Sequence, residues 1–276
     1  MKKALKALAL CGGALLVAKG FDNRLEITDY EIQNDKIPID FDGFKIVQIS
    51  DYHSDNFPGL AGEIELLNPD IIVSTGDLAD DDGSYLSAVR LAKKLVQIAP
   101  VYAVTGNHDL WRSDYNEFEE ELSALGVYTL HDERVFLKQE AGKIGLCGID
   151  DPFSLTQTKI DERIKSSIES ITPYDGFDVL LFHRANMLDH FRRKDFELIL
   201  SGHMHGGQFR LPWGVGVVAP KSGWGSNSPA FFPKYVGGRY NLSGTDVIVN
   251  RGLGNPMIIP RIFNRPEVSV VTLRCC

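Results

Sequence analysis

Six short apolar strings, rich in β-branched residues, punctuate the chain: FKIVQIS (44–50), DIIVSTG (70–76), VYAVTG (101–106), KIGLCGI (143–149), DVLLFH (178–183) and FELILSG (196–202). Continuous apolar runs of this length predict strands buried on both faces. Between several of them the apolar positions recur at helical spacing, in GLAGEIELL (59–67), SYLSAVRLAKKLVQI (84–98), DYNEFEEELSALG (114–126) and KIDERIKSSIESI (159–171). Alternating strands and helices predict an α/β core. The C-terminal third changes character. Gly, Pro and aromatic residues dominate from Gly206 to Tyr240, and two strand candidates, TDVIVN and EVSVVTLR, follow without a helix pattern between them, which suggests a second sheet packed on the first.

The polar residues are placed as systematically as the apolar ones. The carboxyl end of each strand string carries groups that bind metals: Asp51 and His53, then Asp77, then Asn107 and His108, then His183, then His203 and His205. Five of the seven histidines fall in these places. In an α/β sheet the loops beyond the carboxyl ends of neighbouring strands converge on one crevice, so residues far apart in sequence would meet there. Carboxylate, imidazole and amide oxygen without thiolate suit Mn, Fe, Zn or Co. Seven ligands exceed the needs of one such ion, whereas two ions about 3.5–4 Å apart that share a carboxylate would use them all. Residue by residue a plainer role stays open: Asp51 or Asp77 could cap a turn, and His183 could be a hydrogen-bonded core histidine. His131 and His190, outside every motif, read as non-ligands.

Composition narrows the partners. With 276 residues, 43% of them apolar, the chain can bury a large core, and the net charge of −8 encodes no attraction to polyanions, so no nucleic-acid partner is expected. No protein partner is evident either. The four cysteines lack the spacing of a disulfide framework or a structural zinc site. Lys2, Lys3 and Lys6 precede an apolar run from Ala7 to Ala18, as in a secretory signal. Twelve residues would span only ~18 Å as a helix against a ~30 Å hydrocarbon core, so residues 1–20 read as a signal-anchor or signal peptide and residues 21–276 as one domain. The lysines favour a domain outside the cytoplasm at a cell membrane, with Lys19 and Arg24 on the other flank opposing that signal. An amphipathic cap helix is the alternative.

The ordered set D-x-H, G-D-x-x-D, G-N-H-D, a lone His and G-H-x-H resembles the calcineurin-like metallophosphoesterase superfamily over residues 43 to 276. GHMHGGQFRLP and the N-terminal apolar run are most similar to its bacterial membrane-associated branch, which includes enzymes similar to UDP-2,3-diacylglucosamine hydrolases. The resemblance implies a two-sheet β-sandwich flanked by helices, in four αββα layers. It implies two divalent metal ions, with Asp51, His53 and His205 on one, Asn107, His183 and His203 on the other, and Asp77 bridging. It also implies that His108 serves the leaving oxygen and that Asp80 orients it. Asp109 is the weaker orienting candidate, because consecutive side chains point apart in an extended segment.

Two departures matter. Asp81 and Asp82 follow G-D-x-x-D where protein Ser/Thr phosphatases of the superfamily have Arg-Gly, and Ala185 stands where many relatives have Pro. Arg184 could supply a phosphate contact or be an ordinary surface arginine. Trp213, Trp224, Phe231 and Phe232 lie among glycines and prolines after the last ligand pair, as a substrate- or membrane-touching loop or as residues that pack the loop down. The expected function is a dinuclear metal-dependent phosphoesterase in which metal-activated water cleaves a phosphodiester, phosphoanhydride or phosphomonoester. Its substrate would be small or lipid-linked, near the membrane. A non-catalytic metal-binding scaffold is the alternative, and a solute-binding protein lacks its two-lobed repeat.

Overall fold

The computed structural model describes residues 19–152, 157–171, 173–191, 196–211, 213–219, 230–255 and 260–276. Residues 1–18 of the N-terminal segment, and Trp224, lie outside the described residues. In chain order the elements are β1 (Glu26–Asn34), β2 (Lys45–Ile49), α1 (Leu60–Leu66), β3 (Ile71–Ser74), α2 (Leu86–Leu95), β4 (Val101–Ala103), α3 (Asn107–Trp111), α4 (Tyr115–Leu125) and β5 (Val127–Thr129). Then come β6 (Glu133–Gln139), β7 (Gly142–Ile149), α5 (Gln157–Ser170), β8 (Asp178–Arg184), β9 (Leu198–Gly202), β10 (Phe209–Arg210), β11 (Gly216–Ala219), β12 (Ala230–Phe231), β13 (Gly238–Leu242), β14 (Thr245–Val249) and β15 (Glu267–Cys275).

Two six-stranded sheets result, in the orders β1-β15-β2-β3-β4-β5 and β13-β14-β9-β8-β7-β6, with a small sheet β10-β11-β12 beside them. The six apolar strings become β2, β3, β4, β7, β8 and β9. All six run parallel to their neighbours within the two inner blocks. The facing sides of the two sheets meet in one apolar layer, with Ile46, Ile71 and Val73 from the first sheet against Leu146, Val179, Leu181, Leu200 and Ile248 from the second. Burying each such side chain contributes roughly 1.5–3 kcal/mol. Helices α1, α2 and α4 cover the outer face of the first sheet through Ile64, Leu91, Leu95, Phe118 and Leu122. The outer face of the second is covered by α5 through Ile160 and Ile164.

The division between the sheets differs from the reading of the C-terminal third as the second sheet. TDVIVN forms β14 and joins β9 in a sheet that begins with β6, whereas EVSVVTLR forms β15 and inserts between β1 and β2. Strand β15 is buried along most of its length because it is interior to its sheet.

One ion-pair chain fastens helix to sheet. His131 donates through Nδ1 to Asp150 (3.0 Å) and through Nε2 to Glu119 of α4 (2.6 Å). The Asp150 contact, opposed by partial burial and helped by Glu119, raises the imidazole to about 9. A group raised above its unfolded value of about 6.5 stabilises fully below that pH and loses the contribution as pH climbs through the folded value. Because the side chain is 42% exposed, solvent screening keeps the contribution to about 1 kcal/mol or less. In thermal melts, His131→Gln should lie about 2 °C below wild type at pH 6 and converge with it by pH 10. A constant gap across that range would exclude the ionic origin.

Candidate dinuclear metal centre

The candidate ligands occupy the carboxyl ends of adjacent parallel strands in both sheets. Asp51 and His53 follow β2, Asp77 follows β3, Asn107 opens α3 after β4, His183 ends β8, and His203 and His205 follow β9. Asp51, His53, Asp77, His203 and His205 all have φ between 45° and 72°, and they make up five of the thirteen non-glycine residues at positive φ among those described. Such backbone is strained by on the order of 1–3 kcal/mol per residue and clusters at functional sites. Two glycines make the approach possible. A Cβ at Gly106 would collide with the Asp77 carboxylate, and one at Gly202 with Ser50 Oγ.

Two groups of donors form. Asp51, His53 and His205 make one, with His53 Nε2 3.2 Å from His205 Nε2 and His205 Nε2 3.4 Å from Asp51 Oδ1. Asp77, His183 and His203 make the other, with His183 Nε2 3.1 Å from Asp77 Oδ2 and 3.2 Å from His203 Nδ1. Asp77 Oδ2 is also 3.7 Å from His53 Nε2, which puts this carboxylate between the groups. Asn107 Oδ1 and His203 Nε2 are buried without a hydrogen-bond partner. Orphaned acceptors of this kind cost about 1–3 kcal/mol unless something binds them, so the donor set fits a pair of cations.

The plainer roles are present as well and serve the same arrangement. Asp51 accepts the His203 backbone N–H at 3.0 Å, and Asp77 accepts that of His108 at 2.8 Å, so each carboxylate fixes the loop that brings the next ligand. His183 Nδ1 donates to Thr75 O at 2.7 Å, which turns Nε2 toward the site. Burial opposes charge on Asp77, but His183, His108 and His53 hold its carboxyl well below the usual range. Burial alone would depress His183, yet Asp77 and Asp51 carry it up to about 10. Burial, reinforced by neighbouring cations, holds His203 and His205 far below the ordinary histidine value, neutral and ready to coordinate.

At the rim a third group forms. Asp80 Oδ1 lies 3.1 Å from both His53 Nδ1 and His108 Nδ1, so one carboxylate oxygen joins the ligand shell to the rim imidazole. Asp81 Oδ1 adds a second carboxylate contact to His108 Nδ1 at 3.2 Å. Burial would lower the pKa of His108, but Asp77, Asp80 and Asp81 raise it to about 9. Asp109 does not touch this imidazole. GNHD is the first turn of α3, not an extended segment, and Asp109 turns back to accept the backbone N–H groups of Gly106 (2.9 Å) and Ala79 (2.8 Å).

Arg184 is not an ordinary surface arginine. It is buried, with Nε and Nη2 bound to the Asp151 carboxylate at 2.6 and 3.0 Å. Sequence reasoning missed three supports. Arg112 donates to the carbonyls of Asp80 and Gly83 and so holds the acidic loop. Arg261 places Nη2 3.4 Å from His205 Nδ1, and Asn264 donates to His205 O at 2.7 Å. Polar residues inside the apolar, proline-flanked PRIFNRP string were the available signal. His131 and His190 lie outside the donor groups, the latter beside Asp161.

Two mixed sheets flanked by helices, with oxygen and nitrogen donors gathered from five strand ends, define a metal-dependent phosphoester hydrolase. The chain belongs to the calcineurin-like phosphoesterase family, whose model matches residues 44–207 and so includes every candidate ligand. It is 30% identical to a metallophosphoesterase of Bacillus subtilis, YkuE, across 96% of this chain and 94% of that one. A transmembrane protein with metallophosphoesterase domain from Danio rerio is 30% identical over 97% of this chain, which spans 62% of that protein. Phosphodiesterase YaeI of Escherichia coli is 24% identical over 83% of this chain and 82% of its own. Among solved structures, the phosphopantetheinyl hydrolase PptH of Mycobacterium tuberculosis superposes with a TM-score of 0.51 at 12% identity, over 77% of this chain and 91% of that one, a likeness of fold.

Proposed function

We propose that the chain is a phosphodiesterase acting on a small or lipid-linked substrate at a membrane surface. The observation that carries the choice of a diester is the acidic rim: the partly exposed His108 stands against both Asp80 and Asp81. The two buried arginines beside the ligands, Arg184 and Arg261, are already engaged with Asp151 and with backbone carbonyls. A phosphomonoester brings close to two negative charges to this rim and a diester one. Each extra like charge at ~4 Å costs about 1–4 kcal/mol, depending on how much water remains. The Escherichia coli relative YaeI, named a phosphodiesterase, supports the same class.

Asp51, His53 and His205 would hold one divalent ion and Asn107, His183 and His203 the other, with Asp77 shared; the donors suit Mn, Fe, Zn or Co. When bound, the pair supplies charge neutralisation at the phosphoryl oxygens and a lowered pKa for water. His108 keeps Nδ1–H on Asp80 and Asp81 and offers Nε2 to the leaving oxygen as proton donor. Arg184, held by Asp151, helps burial keep His203 neutral.

The test is protein stripped by chelation, reloaded with each metal, and assayed on bis(p-nitrophenyl) phosphate, p-nitrophenyl phosphate and pyrophosphate. The expected kcat/KM for the diester exceeds that for the monoester by about tenfold, the equivalent of 1.4 kcal/mol. A preference for monoester or pyrophosphate would overturn it. In this reading the body lies outside the cytoplasm with residues 1–20 as its membrane anchor, a reading supported by Lys2, Lys3 and Lys6 ahead of the apolar run. A C-terminal reporter active only outside the cytoplasm checks the orientation.

A further inference from the structure

The small sheet carries exposed apolar side chains that the site does not use. Trp213, Val215, Phe231 and Phe232 are between 43% and 74% exposed, and Phe21 is 52% exposed. Together they are five of the twelve large hydrophobic residues exposed among those described. Scattered single apolar residues need no explanation, whereas a group of this kind marks a contact surface.

Backbone hydrogen bonds place the five residues along one ribbon. Strand β10 pairs with β11 and β11 with β12, while Phe232 N–H donates to Val217 O at 3.1 Å. The β10–β11 turn bearing Trp213 is closed by Leu211 N–H to Val215 O at 2.9 Å. On the other side of β10, Arg210 N–H donates to Ile262 O (2.8 Å), and the next residue, Phe263, donates N–H to Gly20 O (2.7 Å). The ribbon therefore runs from Gly20 and Phe21 through 262–263, β10 and β11 to Phe231 and Phe232. The apolar run Ala7–Ala18 joins the body one residue before Gly20. Arg210 ties the ribbon to the ligand loop, reaching Gly206 O at 3.4 Å, and Gly207 packs on Gly216, where a Cβ would collide.

We propose that this ribbon is a lipid-docking surface that sits in the interfacial region of a phospholipid bilayer and sets the catalytic rim against it. The proposal extends the membrane reading above with a second, independent point of attachment. As a helix the apolar run would span only ~18 Å, short of a ~30 Å hydrocarbon core, so apolar side chains on the body would add to its hold on a membrane. Trp and Phe at a turn suit the bilayer interface, where aromatic rings concentrate. The net charge of −8 excludes general attraction of the body to an anionic surface, leaving apolar burial as the force. A second copy of the chain is the competing occupant.

The test uses the full chain. Trp213→Ser/Phe231→Ser/Phe232→Ser should lower partitioning onto phosphatidylcholine vesicles about tenfold or more, with similar loss when a quarter of the lipid is phosphatidylglycerol. Hydrolysis of soluble bis(p-nitrophenyl) phosphate should be unchanged, which separates this proposal from the assignment of the reaction. Vesicles of brominated lipid should quench wild-type tryptophan fluorescence more than that of Trp213→Phe, a readout that needs no multiple substitution. Unchanged partitioning together with equal quenching would overturn the proposal. So would a change from dimer to monomer in sedimentation with vesicle binding intact, because the ribbon would then bind another copy.

Discussion

His108→Ala is expected to retain both metal ions and lose about 10²–10⁴ in kcat on a diester with an alkyl leaving group, the usual range for general acid catalysis. The imidazole is fixed for this task from three sides. Its backbone N–H is held by Asp77, its Nδ1 lies at hydrogen-bond distance from Asp80 and Asp81, and its ring packs on Trp111 with centroids 4.7 Å apart. Only Nε2 remains to serve the substrate. The loss should shrink to a few-fold with nitrophenolate, which leaves without a proton. Asp80→Asn should follow the same trend more weakly, since the substitution disturbs orientation rather than removing the donor. Equal losses for good and poor leaving groups, at unchanged metal content, would make His108 a phosphate-binding or structural residue.

Asp77→Ala should abolish hydrolysis and release both ions together. Among the described residues, Asp77 is the carboxylate with contacts to imidazoles of both donor groups, its Oδ2 lying 3.1 Å from His183 Nε2 and 3.7 Å from His53 Nε2. Removing it also frees the His108 backbone N–H, so Asp77→Asn serves as the companion variant that preserves the shape of the side chain. Metal analysis after gel filtration at saturating Mn gives the answer. Two ions per chain in wild type and none in either variant is the expected result. One ion retained in both variants would show that the groups bind independently and that Asp77 belongs to one of them.

How much of this was legible without coordinates depends on how each residue is specified. The six apolar strings announced their strands because burial on both faces writes an uninterrupted signal. Strands β1 and β6 were missed because they are largely half-exposed and carry charged residues such as Glu26, Asp29, Glu133 and Lys138. The place of β15 was hidden for a different reason, since pairing partners distant in sequence leave no local mark. At the site, the carboxyl-end rule led to residues that the fold gathers into the two donor groups. It could not show that Asp109 braces Gly106 and Ala79, because that depends on a single helical turn too short to have a period. Nor could it find Arg261 and Asn264, whose contact with the His205 loop crosses more than fifty residues.

The insertion of β15 between β1 and β2 also constrains how the molecule assembles. Arg274 of β15 meets Glu31 of β1 across a sequence separation of 243 residues, and on its other side β15 registers with Lys45 to Gln48 of β2. Strand β2 leads directly into Asp51, and Gly254 N–H donates to Asp51 O at 2.7 Å. The first ligand is therefore flanked by chain that is distant from it in sequence. Closing so long a loop carries a conformational entropy cost, and non-local pairing slows folding, so the docking of this strand is expected to follow the formation of the βα units. Fragments ending before residue 267 would keep helices and apolar strands yet hold an open edge at β2, prone to pairing with other chains.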